Sequence, residues 1–173
     1  MADGVLSSNT FVMPYRCQEG PVLLSFPLGS TASTAVFKKG DAVARGATTN
    51  SHRVVLLATG VTADLTGFIG FAAEDAVSSE AFGTPKLVYV ADRSVEFIGA
   101  IKSTIAAADL GLGFNLRRDS TLDIWYLDGS DATGTGVVGI VTGFVNGSTF
   151  GDTNGFVSFL VANAAMQMYR SSS

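Results

Sequence analysis

The stretch Val36-Phe37-Lys38-Lys39-Gly40-Asp41-Ala42-Val43 opens a segment that closes with Gly67-Phe68-Ile69-Gly70-Phe71-Ala72-Ala73-Glu74. Between them lies a short apolar run, Arg53-Val54-Val55-Leu56-Leu57-Ala58. Lys39-Gly40-Asp41 predicts a tight turn, because glycine adopts a positive φ without steric cost and aspartate caps its own backbone. We predict a small barrel-like β-unit over residues 36–74, in which 54–58 form a buried strand and 68–72 return beside it. We recognise no catalytic constellation in this unit, which points to a binding or structural role.

The composition indicates one domain that hides part of its surface in an assembly. The chain has 173 residues, a suitable length for a single domain with an arm or small lobe. It is 47% hydrophobic and only 15% charged, whereas about a quarter of an ordinary soluble domain is charged. An apolar surface of this kind finds cover at protein interfaces. The net charge of −4 argues against nucleic acid as a partner, since phosphate binding needs a basic face.

The sequence carries few signals that indicate a cellular compartment. Cys17 is the sole cysteine, so no intrachain disulfide and no cysteine-based metal cluster is expected. The N-terminus lacks the basic-then-apolar order of a secretory signal. No apolar run reaches the roughly 20 residues that span a bilayer. We therefore expect a soluble protein made inside a cell, with no membrane partner.

The remaining pattern predicts a mainly β fold: a compact β-barrel domain with one short helix and an extended N-terminal arm. Residues 1–35 form the arm and carry a short strand at 22–26, residues 36–165 form the β-rich domain, and residues 166–173 form a tail. We predict hairpins that pair 86–91 with 95–101 and 114–118 with 121–127. Further strands lie at 137–145 and 156–162, with a turn at Asn146-Gly147. Ser103 or Thr104 caps a helix over residues 105–110, which Gly111 ends.

Motifs that resemble catalytic or cofactor sites have simpler explanations. Gly134-Thr135-Gly136-Val137-Val138-Gly139 has the letters of a dinucleotide-binding loop, but it runs into a β-branched strand rather than a helix. Asp128, Ser130 and Asp131, with Thr133, offer oxygens to calcium, yet Asx-turn chemistry explains them equally well. His52 has no nucleophile motif beside it. We therefore expect no enzyme activity and no cofactor or metal.

The order of elements resembles the small β-rich capsid decoration (cement) proteins of tailed phages. The resemblance rests on Lys39-Gly40-Asp41-Ala42-Val43, on Gly67-Phe68-Ile69-Gly70-Phe71-Ala72 and on the following acid pair Glu74-Asp75. The capped helix and the late strands at 144–145 and 159–161 extend it over residues 36–162. Two departures are the 35 residues that precede this unit and the Gly/Ser/Thr-rich segments 128–136 and 147–155. The resemblance implies a β-tulip-like fold and a virion protein on the capsid exterior, made in the host cytoplasm. It also implies a homotrimer whose partner is the major capsid protein.

Residue types suggest where contacts form, because methionine and aromatic residues are enriched at interface cores. The predicted contact residues are Phe11, Val12, Met13, Tyr15, Met166, Met168 and Tyr169. The arm either packs on the domain's own core or lies on a neighbouring subunit, and the sequence leaves both open.

Two other functions stay open at this point. The first is a carbohydrate-binding or adhesin-type β module of a phage tail or fibre, using Trp125 and Tyr126 beside the 128–136 loop. The second is a β-barrel enzyme whose active site is built from residues distant in sequence.

Overall fold

Strands account for nearly all of the regular structure in the described part of the chain. The computed structural model describes residues 6, 12–17, 20–29, 36–46, 53–57, 67–92, 94–104, 106–131 and 136–162. The elements in chain order are β1 (Met13–Cys17), β2 (Leu23–Pro27), β3 (Ala42–Arg45), β4 (Val54–Leu56), β5 (Phe68–Ala72), β6 (Pro85–Val90), β7 (Val95–Lys102), a 3-10 helix (Ala107–Asp109), β8 (Gly113–Asp119), β9 (Ile124–Asp128), β10 (Val138–Val145) and β11 (Asn154–Val161). The fold is mainly β, as the sequence predicts.

The larger of two sheets closes into a five-stranded barrel. Its strand order is β1-β7-β11-β10-β8-β9, and β9 pairs back onto β7. β1 and β9 share one edge of β7, where β1 lies opposite Val95 to Ile98 and β9 opposite Ala100 to Lys102. A closed ring with an odd number of strands cannot be antiparallel throughout, and β7–β9 is its parallel pair. Closure leaves this sheet with few free strand edges.

The smaller sheet has the order β2-β6-β5-β3-β4. Its two ends approach each other, since Leu28, just after β2, forms a parallel bridge with Val54 at the start of β4. The Gly29 N–H donates to the Val54 carbonyl at 2.8 Å. The smaller sheet therefore curls towards closure, although a single bridge joins its ends.

Two hydrophobic clusters fill the fold, and strands of the smaller sheet contribute to both. Val43 of β3 and Ile69 of β5 belong to the cluster enclosed by the smaller sheet. In the same two strands, Ala44 and Phe71 belong instead to the cluster that fills the barrel. The Phe71 ring lies 4.9 Å from that of Phe97 in β7. Because both faces of β5 are buried, its sequence is an apolar run rather than an alternation.

The opening stretch forms three strands of the smaller sheet, in an order that differs from the prediction. β4 and β5 both pair with β3, which lies between them. The prediction that residues 68–72 return beside 54–58 is therefore wrong. The predicted turn before β3 is present, since the Asp41 carboxylate accepts a hydrogen bond from the Lys38 N–H at 2.8 Å.

The predicted hairpin between residues 86–91 and 95–101 is also wrong. β6 already has β2 on one edge and β5 on the other, so β7 finds no edge there. The turn after β6, closed by the Val95 N–H donating to the Asp92 carbonyl at 3.1 Å, instead carries the chain into the larger sheet.

The predicted helix over residues 105–110 is reduced to one 3-10 turn, Ala107–Asp109. Ala106 precedes it, and its N–H donates to the Asp109 carboxylate at 2.6 Å, so neither Ser103 nor Thr104 is the cap. The turn buries no residue. A helix this short has no packing face to offset the cost of nucleation.

Other local predictions are confirmed. β8 pairs with β9, and β10 pairs with β11 across a turn at Asn146-Gly147. The glycines of β10 have the expected roles. The register shifts between Val141 and Gly143, and a Cβ on Gly139 would lie 2.7 Å from Leu127 and 2.8 Å from Phe159. Gly139 thus lets the barrel interior pack closely.

The described part of residues 1–35 pairs with the chain's own sheets. β1 pairs with β7, and β2 pairs with β6, both antiparallel. These strands extend the edges of the two sheets, and all of their side chains are at least partly exposed.

Candidate binding surface

The predicted contact residues separate into three groups in the structure. Phe11 and the tail residues Met166, Met168 and Tyr169 lie outside the described residues. Met13 and Tyr15 are exposed, at 39% and 42%. Val12 is buried at 1% exposure and belongs to the barrel core.

Val12 is buried because the residue of β7 against which its side chain packs is a glycine, Gly99. A Cβ on Gly99 would lie 3.2 Å from the Val12 side chain. In this conformation Val12 attaches β1 to the barrel and is not available to a partner. Met13 and Tyr15 are therefore the described residues that support the predicted contact role.

Tyr15 projects outward because β1 has a bulge at this position. Pro14 lies opposite Phe97 and Arg16 lies opposite the next residue, Glu96, so Tyr15 has no cross-strand partner. A bulge of this kind redirects a side chain and is typical of functional strand edges. The Arg16 guanidinium lies 5.0 Å from the centre of the Tyr15 ring and 3.9 Å from the Glu96 carboxylate.

Met13 and Tyr15 line a cleft of about 410 Å³ between β1 and the start of β2, which we call the β1–β2 cleft. Its lining residues are Met13, Pro14, Tyr15, Cys17, Gly20, Pro21, Lys39 and Tyr89. Methionine and tyrosine give the cleft adaptable apolar contacts, and the two hydroxyl groups allow hydrogen bonds. This chemistry suits a protein partner.

Tyr89 is the member of this surface that the sequence analysis missed. It lies opposite Leu23 of β2, on the face of β6 that it shares with Phe71 of β5, and is partly buried against the barrel core. The alternation in residues 86–91 indicates that Leu87 and Tyr89 share the face opposite Val88. The pattern could have placed Tyr89 on that face, but only the pairing of β2 with β6 places it beside β1.

A second cleft of about 640 Å³ also borders β1 and is lined mostly by polar residue types. Its lining residues are Arg16, Cys17, Asp92, Ser94, Glu96, Thr142 and Leu160. The Thr142 hydroxyl donates to the Glu96 carboxylate and lies 3.0 Å from the Ser158 hydroxyl. Burial raises the pKa of the Cys17 thiol, which disfavours the thiolate that a nucleophile requires.

A charged cluster joins the smaller sheet to the barrel. Lys38 Nζ donates to Asp123 Oδ2 at 2.6 Å, and Arg118 donates to the other oxygen of the same carboxylate. The hydrogen bond from Lys38 lowers the pKa of Asp123. Nearby Asp41 is 4% exposed, and burial raises its pKa to about 6, although the Lys38 N–H and the Arg118 charge oppose that rise.

The 128–131 turn uses its acidic groups internally. The Asp128 carboxylate accepts hydrogen bonds from the Ser130 N–H and hydroxyl, as Asx-turn chemistry predicts. Arg117 forms ion pairs with both Asp128 and Asp131. Within the described residues no group of three metal-ligating side chains converges. Thr133, His52 and the start of the Gly134–Gly139 motif lie outside them, and Gly139 itself is in β10.

Trp125 does not have the exposure that a carbohydrate-stacking residue needs. It is 2% exposed and points into the barrel core. Its neighbour Tyr126 faces outward and is half-buried, with Lys102 Nζ 4.6 Å from its ring centre. The adhesin hypothesis therefore loses one of the two aromatic residues that it names, and Tyr126 remains.

No protein-family model, curated protein or solved structure matches this chain. Among the described residues, no helix has the length and apolar character needed to cross a membrane.

Proposed function

We propose that this chain is a capsid decoration protein of a tailed phage, which binds the capsid exterior and bridges major capsid subunits. It acts by binding and not as an enzyme. Its partners are the major capsid protein and further copies of itself, as a homotrimer. It is made in the host cytoplasm and functions on the virion.

The observation that carries this proposal is the β1–β2 cleft. Met13, Tyr15 and Tyr89 present apolar and aromatic surface from paired strands, so little backbone freedom is lost on binding. Aromatic anchors of this kind supply much of the affinity of protein interfaces. Burying such surface across a seam between capsid subunits favours the closed seam.

The direct test mixes the purified chain with empty expanded capsids and counts bound copies. The capsids are assembled from the major capsid protein of the phage that encodes the chain. We expect saturable binding at a fixed number of copies per capsid. Absence of binding at any protein concentration contradicts the function itself.

Paired variants test the surface. Tyr15→Ser is expected to weaken capsid binding at least about ten-fold, equivalent to about 1.4 kcal/mol, because it removes an exposed aromatic anchor. Leu110→Ser is the matched control, since Leu110 is 43% exposed, close to the 42% of Tyr15, and lies after the 3-10 turn. Equal affinity of both variants and the wild type contradicts the role of the cleft.

A further inference from the structure

β2 has an open edge over residues 22–26. Among the described strands it is the outermost of the smaller sheet and pairs with β6 alone. Beyond it, β4 occupies the same edge from Leu28 onward. Val22, Leu23 and Leu24 are 38%, 43% and 39% exposed, so this edge is accessible.

The backbone groups on the open edge belong to Leu23 and Ser25. The Val90 N–H donates to the Val22 carbonyl at 2.9 Å, and the Leu28 N–H donates to the Thr84 carbonyl at 2.8 Å. In an antiparallel pair alternate residues make the inter-strand bonds. The even-numbered residues of β2 therefore face β6, and the odd-numbered ones face away. The described residues supply no hydrogen-bond partner to Leu23 or Ser25 on that side.

Most edge strands of natural β-sheets carry a feature that prevents pairing with another chain, such as a lysine, a central proline or a bulge. The open edge has none of these between its ends. Residues 22–26 are uncharged, and prolines stand only at positions 21 and 27. The edge is thus suited to receive another strand over five residues and no more, because proline has no N–H to donate.

We propose that this open edge pairs with the same edge of a second copy, antiparallel, about a two-fold axis at Leu24. Such an isologous contact places each residue opposite its counterpart across the axis. Leu23 then faces Ser25 of the second copy, and their N–H and carbonyl groups form four backbone hydrogen bonds. Leu24 faces Leu24 of the second copy at the closest side-chain approach of the ladder.

The spacing of the prolines favours a second copy over an unrelated strand. Pro21 and Pro27 are equidistant from Leu24, so each lies opposite the other in this register. At each end of the pairing a proline therefore faces a proline. Neither has a backbone N–H, so no donor is left without an acceptor there. The uncharged sequence also places no like charges opposite each other, which would destabilise a self-pair.

This contact adjoins the β1–β2 cleft at Pro21, but its hydrogen bonds come from Leu23 and Ser25, which do not line that cleft. It predicts association in an even number of copies: two, or six where the same chains also form trimers. Light scattering on the purified full chain measures this without any capsid, so failure of one proposal leaves the other testable.

The test replaces the residue on the axis. Leu24→Lys places two positive charges opposite each other and is expected to halve the mass of the wild type, with the far-UV spectrum unchanged. Leu87→Lys is the matched control, because Leu87 is equally exposed at 38% but lies on β6, which has no free edge. It is expected to keep the wild-type mass.

Charge complementation gives the sharper result. An equal mixture of Leu24→Lys and Leu24→Glu chains is expected to recover the mass that each has lost alone. Ser25→Pro, which removes one N–H from the open edge, is expected to halve the mass as well.

A wild type that stays monomeric at every concentration overturns the proposal. So does an oligomer, trimeric or other, that Leu24→Lys and Ser25→Pro both leave intact.

Discussion

Asp41→Asn is expected to stabilise the folded chain at neutral pH. Asp41 is a buried carboxylic acid whose pKa rises from 3.8 to about 6, chiefly because burial disfavours its charged form. At about 1.36 kcal/mol for each pKa unit, this rise corresponds to about 3 kcal/mol. Asparagine has no charge to bury, and its carbonyl oxygen can still accept the hydrogen bond from the Lys38 N–H.

The sign of the pH dependence follows from the direction of the pKa change. The folded state binds the Asp41 proton more tightly than the unfolded state does. The stability from Asp41 is therefore fully present below pH about 4 and is lost as pH rises through about 6. The advantage of Asp41→Asn should be close to zero at pH 4 and should approach about 3 kcal/mol at pH 7.

Urea unfolding of both chains between pH 4 and pH 8 measures this difference. Subtracting the two curves removes the contributions of the other acids. Asp119→Asn is a control of opposite sign, since a hydrogen bond from Lys102 lowers the pKa of Asp119, so its loss should destabilise the chain at pH 7. An Asp41→Asn chain that is less stable than the wild type at pH 7, or a difference that does not vary with pH, refutes the reasoning.

Two further predictions concern the barrel and the thiol. Gly139→Ala should destabilise the fold by about 1–3 kcal/mol in urea unfolding, because the added methyl group overpacks Leu127 and Phe159. Gly143→Ala, whose Cβ meets only the Ser158 hydroxyl at 3.1 Å, should cost less, and equal costs would contradict the packing argument. Cys17 should react with a thiol reagent at pH 7 more slowly than in the urea-unfolded chain, since burial raises its pKa. Equal rates would show that burial does not control this thiol.

Elements that depend on neighbours in sequence were predictable. In the β8–β9 and β10–β11 hairpins, local signals mark where the chain reverses. These are residues 120–123 between β8 and β9, and Asn146-Gly147 at the start of the 146–153 loop between β10 and β11. The strand predicted at 22–26, which is β2 in the structure, and the mainly β character of the chain follow from the same kind of local pattern. In each case the residues that decide the structure lie within a few positions of one another.

Pairing between distant strands was not predictable from local patterns. β6 and β7 have the sequence of a hairpin, and only the occupied edges of β6 keep them apart. Val12 has the same apolar character as its exposed neighbour Met13, and its burial depends on Gly99, 87 positions away. These relations are set by the closed sheets and leave no periodic signal in the sequence.

The orientation of Trp125 shows a different limit. Its alternation with Asp123 predicts that the two share a face, which would leave Trp125 near solvent. Asp123 has a φ of 55° and lies in the turn before β9 begins at Ile124. The two-residue period of a strand does not apply across that turn, so Asp123 says nothing about the face of Trp125.

The position of β11 in the barrel has a consequence for how the chain folds. β11 lies between β7 and β10, although it follows both in sequence. Until it is synthesised, these two strands each lack a neighbour and the ring cannot close. Contacts between segments far apart in sequence slow folding, and unpaired edges favour aggregation in the interval. A nascent chain that ends before Asn154 should therefore depend on chaperones, and release of β11 from the ribosome should be the event that commits the barrel to its native state.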